Sequence, residues 1–448
     1  MIKKRPIFSL ALLFAIACTW VFTNHALYRK KALIVYDMAE YYLYLPAFFL
    51  HQDLQLNYIF TPEGEGGFYW FKPGPGGSRV IKMTCGVAML ESPFFGIAHL
   101  SAHLFGWKPD GWSPVYQFFI GISGIFYASL GIYLLGCFLL AYFPLKPVLL
   151  TIASLGFATN YFYYSAHENG MSHVYSFCLI SALLFTVRKT MLSRTSILPF
   201  LFAGLISGLV VAVRPVNMLL LPFVFLLVFA AEKKSPLIHF KENIFHYLLV
   251  CMAGISILLP QFFYYKLVTG QWYFYAYVDE KFFFQHPQLI NVLIGYRKGL
   301  LVYCPVLFLL IPGFFMLFSH NKWLGIITLI GAAAYIYVVS SWWCWWYGGS
   351  FGMRALIDVF PLFSLPFVLV CHWAINAGAV WRNAIYVFTS CCALLLWIQF
   401  YQYTHCIIHY DGMNRKAYWH VFLSRKVAPA EYIHSPDYEK AVKGQDID

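Results

Sequence analysis

Residues Val115 to Phe143 read VYQFFIGISGIFYASLGIYLLGCFLLAYF, a run without one Asp, Glu, Lys or Arg. A helix needs about 20 apolar residues to cross a hydrocarbon core about 30 Å thick, and this run exceeds that. Working outward, Ile7 to Phe22, Ile197 to Val213, Leu301 to Phe318 and Ala384 to Phe400 reach or approach the same length. Together they exclude a single anchor and imply an all-α polytopic membrane protein. The composition agrees: 60% of the 448 residues are apolar, 20% aromatic and only 11% charged, where soluble chains carry roughly 25% charged residues.

The formal charge of +12, from 31 Lys plus Arg against 19 Asp plus Glu, contains no basic run and no interleaving of basic with aromatic residues. That argues against nucleic acid and for anionic membrane lipid as a partner. The 11 cysteines show no CxxC pair and no Cys/His metal spacing, and read as small core residues. Lys3, Lys4 and Arg5 precede an apolar stretch with no A-x-A site after it, so this is read as the first transmembrane helix. Ala15-Ile16-Ala17-Cys18 reads as helix packing, not a lipoprotein box.

Basic residues mark the cytoplasmic ends of spans. With the N-terminus inside, the markers are Lys146, then Arg188, Lys189 and Arg194, then Lys233, Lys234 and Lys241, then Lys322, then Arg382. They alternate correctly only if Thr84 to Leu104 does not cross. Glu91, His99 and His103 interrupt that stretch and Pro93 breaks it, which suits an interfacial or re-entrant helix. Residues 26–113 then form one long extracytoplasmic loop with amphipathic juxtamembrane helices. The topology has about eleven transmembrane helices in all, the first included, in a module spanning 1–404, with an extracytoplasmic tail at 405–448 whose charges and aromatics suit a small ordered cap. The location is the inner (cytoplasmic) membrane.

On this topology the unusual polar clusters share the outer face. Asp37 and Glu40 lie three apart, on one face of a helix, where a carboxylate can act as general base. Lys82 follows in the same loop. His167, Glu168 and His173 crowd a short turn and could take a substrate or a divalent metal, or simply cap helix ends. Arg214 stands in a short outer turn, where a guanidinium suits an anionic ligand or snorkels to headgroups. Arg297 and Lys298 add cations in a later loop. The stretch Ser341 to Arg354, SWWCWWYGGSFGMR, combines aromatics suited to sugar rings, Trp343, Trp346 and Tyr347, with Gly349 and the terminal Arg354. Its plainer reading is an interfacial anchor.

An acidic motif after helix one, a long amphipathic first external loop and polar motifs in alternate outer loops resemble the GT-C glycosyltransferases, over nearly the whole chain. The stretches Asp37 to Asp53, Lys82 to Pro93, His167 to Tyr175 and Trp342 to Asp358 are also similar to bacterial membrane proteins of the mannosyltransferase-like kind. The resemblance implies an inverting transfer from a polyprenyl-phosphate-linked sugar donor to a glycan, lipid or protein acceptor, with Asp37 as catalytic base. It gives His167-Glu168 the place of the acidic metal motif of oligosaccharyltransferases, so a divalent metal stays open. Cations such as Lys82, Arg214, Lys298 and Arg354 would offset charge on the departing phosphate. Two other readings use the same features: a transporter or flippase of lipid-linked sugars, disfavoured because the spans look nearly free of charge, and a non-catalytic assembly subunit.

Overall fold

The computed structural model describes residues 4–192 and 196–445; Lys3 and Arg194, two of the topology markers, lie outside them. Among the described residues seven helices are long and apolar enough to cross a membrane: α1 (Arg5–His25), α4 (Pro114–Leu139), α7 (Ser172–Leu192), α11 (Ile244–Thr269), α15 (Lys322–Ser340), the segment Arg354–Asn376 that contains α16 (Phe360–Asn376), and α17 (Ala379–Thr404). An eighth exists if Pro215–Ala231 and Pro236–Glu242, bent by 101°, are one span; these hold α9 (Leu221–Ala231) and α10. The expected eleven would require the shorter apolar helices Leu145–Phe157 (α5), Leu198–Val213 (α8) and Pro305–His320, which ends in α14, to traverse as well. Leu301 to Phe318, read as one apolar window, is broken where Pro305 starts a 3-10 turn between α13 (Leu300–Tyr303) and α14 (Leu310–His320). Proline cannot supply the backbone N–H a continuous helix needs there.

The helices pack in a chain of neighbours: α1 on α4, α4 on α7, α7 on α8, α8 on α11, with α16 against α5 and α14. Segment Arg354–Asn376 is the central one, buried along almost its whole length, whereas α11 lies at the periphery. Large aromatics fill the core, among them Tyr161, Tyr164, Tyr175, Tyr303, Tyr335, Trp345 and Trp346. Buried phenols need partners, and they find them: Tyr161 donates to the Ala128 carbonyl at 2.9 Å and Tyr175 to Glu91 at 2.9 Å.

Residues 26–113 form a layer with its own buried cluster, joined to the ends of α4 and α11. The layer contains α2 (Asp37–Tyr42), the two-stranded antiparallel ladder of β1 (Lys72–Pro73) and β2 (Arg79–Val80), and α3 (Gly86–Leu104). That ladder is the departure from an all-α chain. Backbone amides that the irregular loop leaves free are met by buried side chains. Gln117 accepts from Leu33 and Ile34, Tyr264 from Ile81 at 2.8 Å, and Gln261 from Cys85 at 2.8 Å. The Gln117 bonds hold the chain just before α2, and the other two hold it just before α3. Gly86 lets α3 meet the end of α8, since a Cβ there would sit 2.2 Å from the Ala212 backbone. With Pro93 inside it and Glu91 buried, α3 is not among the seven long apolar helices.

Candidate active site

Tyr36 adopts a left-handed backbone (φ 50°) immediately before α2, a conformation unfavourable for a bulky side chain and often held at functional positions. It delivers Asp37 as the first residue of α2. Asp37 Oδ2 accepts from Arg354 Nη2 at 2.6 Å. The aspartate side chain stays 33% exposed and Arg354 12%. Arg354 Nη1 lies 3.8 Å from Met171 Sδ, while its buried Nε has no partner. Burial pushes the Asp37 carboxyl up, but Arg354 and then Lys82 outweigh it and hold it below the usual aspartate range.

Glu40, one turn along α2, is its opposite. It is 3% exposed, its Oε2 has no hydrogen-bond partner, and burial pushes its carboxyl up to about 8, against the opposing pull of Lys82. The two acids of one short helix are thus driven apart in protonation: Asp37 ionised, Glu40 neutral at pH 7. Lys82 itself bonds to Glu280 Oε1 at 2.9 Å, as does Lys72 at 3.0 Å, and Trp343 Nε1 donates to Glu280 Oε2 at 3.1 Å.

Arg214 does not snorkel to the surface. It turns inward to Asp358, 3.1 Å away, and to His173 Nδ1 at 2.6 Å. Asp358, with no exposed surface, also meets His173 at 3.1 Å and accepts from Tyr335 at 3.0 Å. Tyr335 is shared with Asn217, which donates to Ser176 at 2.9 Å. A buried carboxylate in segment Arg354–Asn376 also corrects the expectation of spans nearly free of charge; it sits four residues after Arg354, which ties this network to the Asp37 pair.

The turn His167 to His173 does not gather its side chains on one point. The chain turns between α6 (Tyr161–Ala166) and α7 there, so successive side chains diverge. His167 meets His25, ring nitrogens 2.7 Å apart; Glu168 accepts from Tyr163 at 2.8 Å; His173 joins Asp358. Among the described residues no group of three or more His, Cys, Asp and Glu is arranged to hold a metal ion. The backbone of Asn169 in this turn presses so closely on α4 that a Cβ at Gly124 would lie 1.8 Å from its carbonyl oxygen.

In the aromatic loop, Trp343 and Tyr347 are half-buried, Gly349 is exposed, and Trp346 is fully buried. Trp346 offers no open face for a sugar because the C-terminal segment folds over it, with Tyr438 at a ring separation of 5.5 Å. Arg297 lies over the Trp345 and Trp346 rings and donates to the His434 carbonyl. Lys298 is buried and donates to the carbonyls of Ser350 and Tyr410, clipping the loop to the tail; burial lowers its ammonium to about 7. The tail is ordered here, with α18 (Arg415–Val421) and α19 (Tyr438–Val442), reached after α12 (Leu289–Ile294) and the segments above. Reading the sequence gave no role to Glu280, which it saw only within the outer-face cluster Asp279-Glu280-Lys281, to Asp358 or to Tyr335. An acid inside an apolar run was the available signal for Asp358; Glu280 had only its neighbours Asp279 and Lys281.

No protein-family model matches the chain, and no curated protein matches it. Among solved structures it is similar to the archaeal oligosaccharyltransferase AglB from Archaeoglobus fulgidus, in complex with an inhibitory peptide and a dolichol-phosphate, with a TM-score of 0.49 and 12% identity. The likeness covers 94% of this chain and 57% of that one, so the chain spans little more than half the length of that protein.

Proposed function

We propose that the chain is a membrane glycosyltransferase moving a sugar, with inversion, from a polyprenyl-phosphate-linked donor to an acceptor at the outer face of the cytoplasmic membrane. The observation that carries the reading is the state of Asp37. It is an ionised carboxylate with Oδ2 fixed by Arg354, at a partly open position, and among the described residues no partner takes Oδ1. Such a group can accept a proton from a hydroxyl or amine brought to Oδ1. The acceptor atom then bonds to the anomeric carbon as the carbon–oxygen bond to phosphate breaks, and the electron pair leaves with the polyprenyl phosphate. Arg354, whose Nε is unpartnered, and Lys82 are the cations acting on Asp37, and in this reading they offset the negative charge on the departing phosphate. Arg214 and Lys298 are committed to Asp358 and to backbone carbonyls, and serve the site by holding its walls. Eleven spans, an inside N-terminus and an outside tail complete this reading.

The test is transfer by the purified chain, presented with a panel of radiolabelled polyprenyl-phosphate sugars and mixed glycan, lipid and peptide acceptors. The expected result is transfer from at least one donor, lost in Asp37→Asn. Absence of transfer across the panel by a folded chain sinks the proposal, and directional movement of intact donor across vesicles would favour a flippase.

A further inference from the structure

Glu280 belongs to a stretch between α11 and α12 that has no helix or strand of its own, apart from an isolated bridge between Phe282 and Trp342. Its side chain is nevertheless only 10% exposed, with both carboxylate oxygens engaged. Lys72 from β1 and Lys82 from the approach to α3 both reach Oε1, at 3.0 and 2.9 Å, and the Trp343 indole reaches Oε2 at 3.1 Å. Three donors from three separate segments therefore converge on one anionic group. Two ammonium groups and an indole N–H around a single carboxylate leave a surplus of positive charge that a phosphate, with more acceptor oxygens, matches better. The place is also right, because Lys82 is close enough to Asp37 and Glu40 for its charge to act on both.

We infer that Lys72, Lys82 and Trp343 form a phosphate-binding cradle which Glu280 fills from within the chain, giving way when the phosphate of a lipid-linked substrate enters. This rests on the proposed function for the identity of the substrate and assigns the subsite that takes its phosphate. Glu280 then acts as an internal competitor. A cradle filled by its own carboxylate nine-tenths of the time binds phosphate about tenfold more weakly than its intrinsic affinity.

The experiment measures binding of a short-chain polyprenyl monophosphate to the purified full chain in detergent. Glu280→Gln keeps the indole contact and removes the charge, and should bind about tenfold tighter. Lys72→Met and Lys82→Met should each bind more weakly, and the gain from Glu280→Gln should vanish when both lysines are replaced. Glu280→Asp, one methylene shorter, tests the same idea with the charge kept and should also tighten binding. Unchanged or weaker affinity in a folded Glu280→Gln chain overturns the inference, as does a gain that survives loss of both lysines. If neither Glu280 variant folds, Glu280 is an anchor for two lysines and the inference fails. Tighter phosphate binding in a chain that transfers no sugar would keep the cradle and reject the glycosyltransferase; transfer with no gain in Glu280→Gln would do the reverse.

Discussion

Two aspartates in this protein each face an arginine, and their surroundings make them different instruments. Asp358 is wholly buried, and its oxygens are taken by Arg214, His173 and Tyr335. Asp37 meets Arg354 through one oxygen and remains a third exposed. A saturated carboxylate can hold helices in place but has nothing left to offer a substrate. The open one keeps an oxygen for chemistry. Ion pairs near one another thus divide into frame and tool according to how many of their lone pairs are already filled.

The largest effect should come from breaking the frame. Asp358→Ala leaves Arg214 buried without its partner, and losing half of a buried pair costs about 3–5 kcal/mol. We expect little folded protein, read as a lost size-exclusion peak and a lowered thermal midpoint in detergent. Because replacing both charges by apolar groups is often neutral, Asp358→Leu combined with Arg214→Met should recover much of that stability. If Asp358→Ala folds normally and only turnover is lost, the two aspartates have been assigned the wrong way round.

Next in size is the tool itself. Asp37→Asn keeps the shape and the bond to Arg354 but cannot take a proton, and a positioned general base contributes about 10²- to 10⁴-fold in rate. Turnover should fall by that order with the thermal midpoint close to wild type, since a partly exposed pair contributes only about 0–1 kcal/mol. Arg354→Lys should cost less, about tenfold in donor use, because an ammonium cannot reproduce the planar fork. Arg354→Gln adds a pH signature. It removes the main influence holding the Asp37 carboxyl down, so the acidic limb of the rate profile should move upward. An unmoved limb would detach Asp37 from the proton transfer.

These contrasts show which parts of the molecule were readable from its sequence. Val115 to Leu139 of the run Val115 to Phe143 lies in α4 and Ala384 to Phe400 lies within α17, because a long charge-free run has few other ways to satisfy its backbone in lipid. Glu91 and Pro93 lie inside α3, and among the described residues α3 is not one of the helices long and apolar enough to cross. Pairing was not readable. Asp37 and Arg354 are 317 residues apart and Arg214 and Asp358 are 144 apart, so composition named the groups but not their partners. Trp346 was read by its type as a platform, and only the fold of residues 405–445 over it shows it buried.

The smallest expected effect is the sharpest test of the division of labour within α2. Glu40, pushed to about 8 by burial, is neutral at pH 7, and Gln is nearly the same shape as a neutral carboxyl. Glu40→Gln should therefore keep turnover at pH 7 within about twofold, well short of the loss expected for a missing base. The difference should appear with pH. Above about 8 the wild-type residue becomes a buried anion beside Asp37 and Glu280, and turnover should fall there in wild type but not in the Gln variant. Stability carries the same signature: in the unfolded chain Glu40 loses its proton near 4.5, in the native chain near 8. Between those values the unfolded state binds fewer protons, so this residue's contribution declines as pH rises through the window and is flat above it. Thermal midpoints across roughly pH 5 to 9 should slope less in Glu40→Gln than in wild type. A loss of about a hundredfold in Glu40→Gln at pH 7, with Asp37→Asn still active, would move the base one helical turn along α2 and leave Asp37 as the partner that orients Arg354.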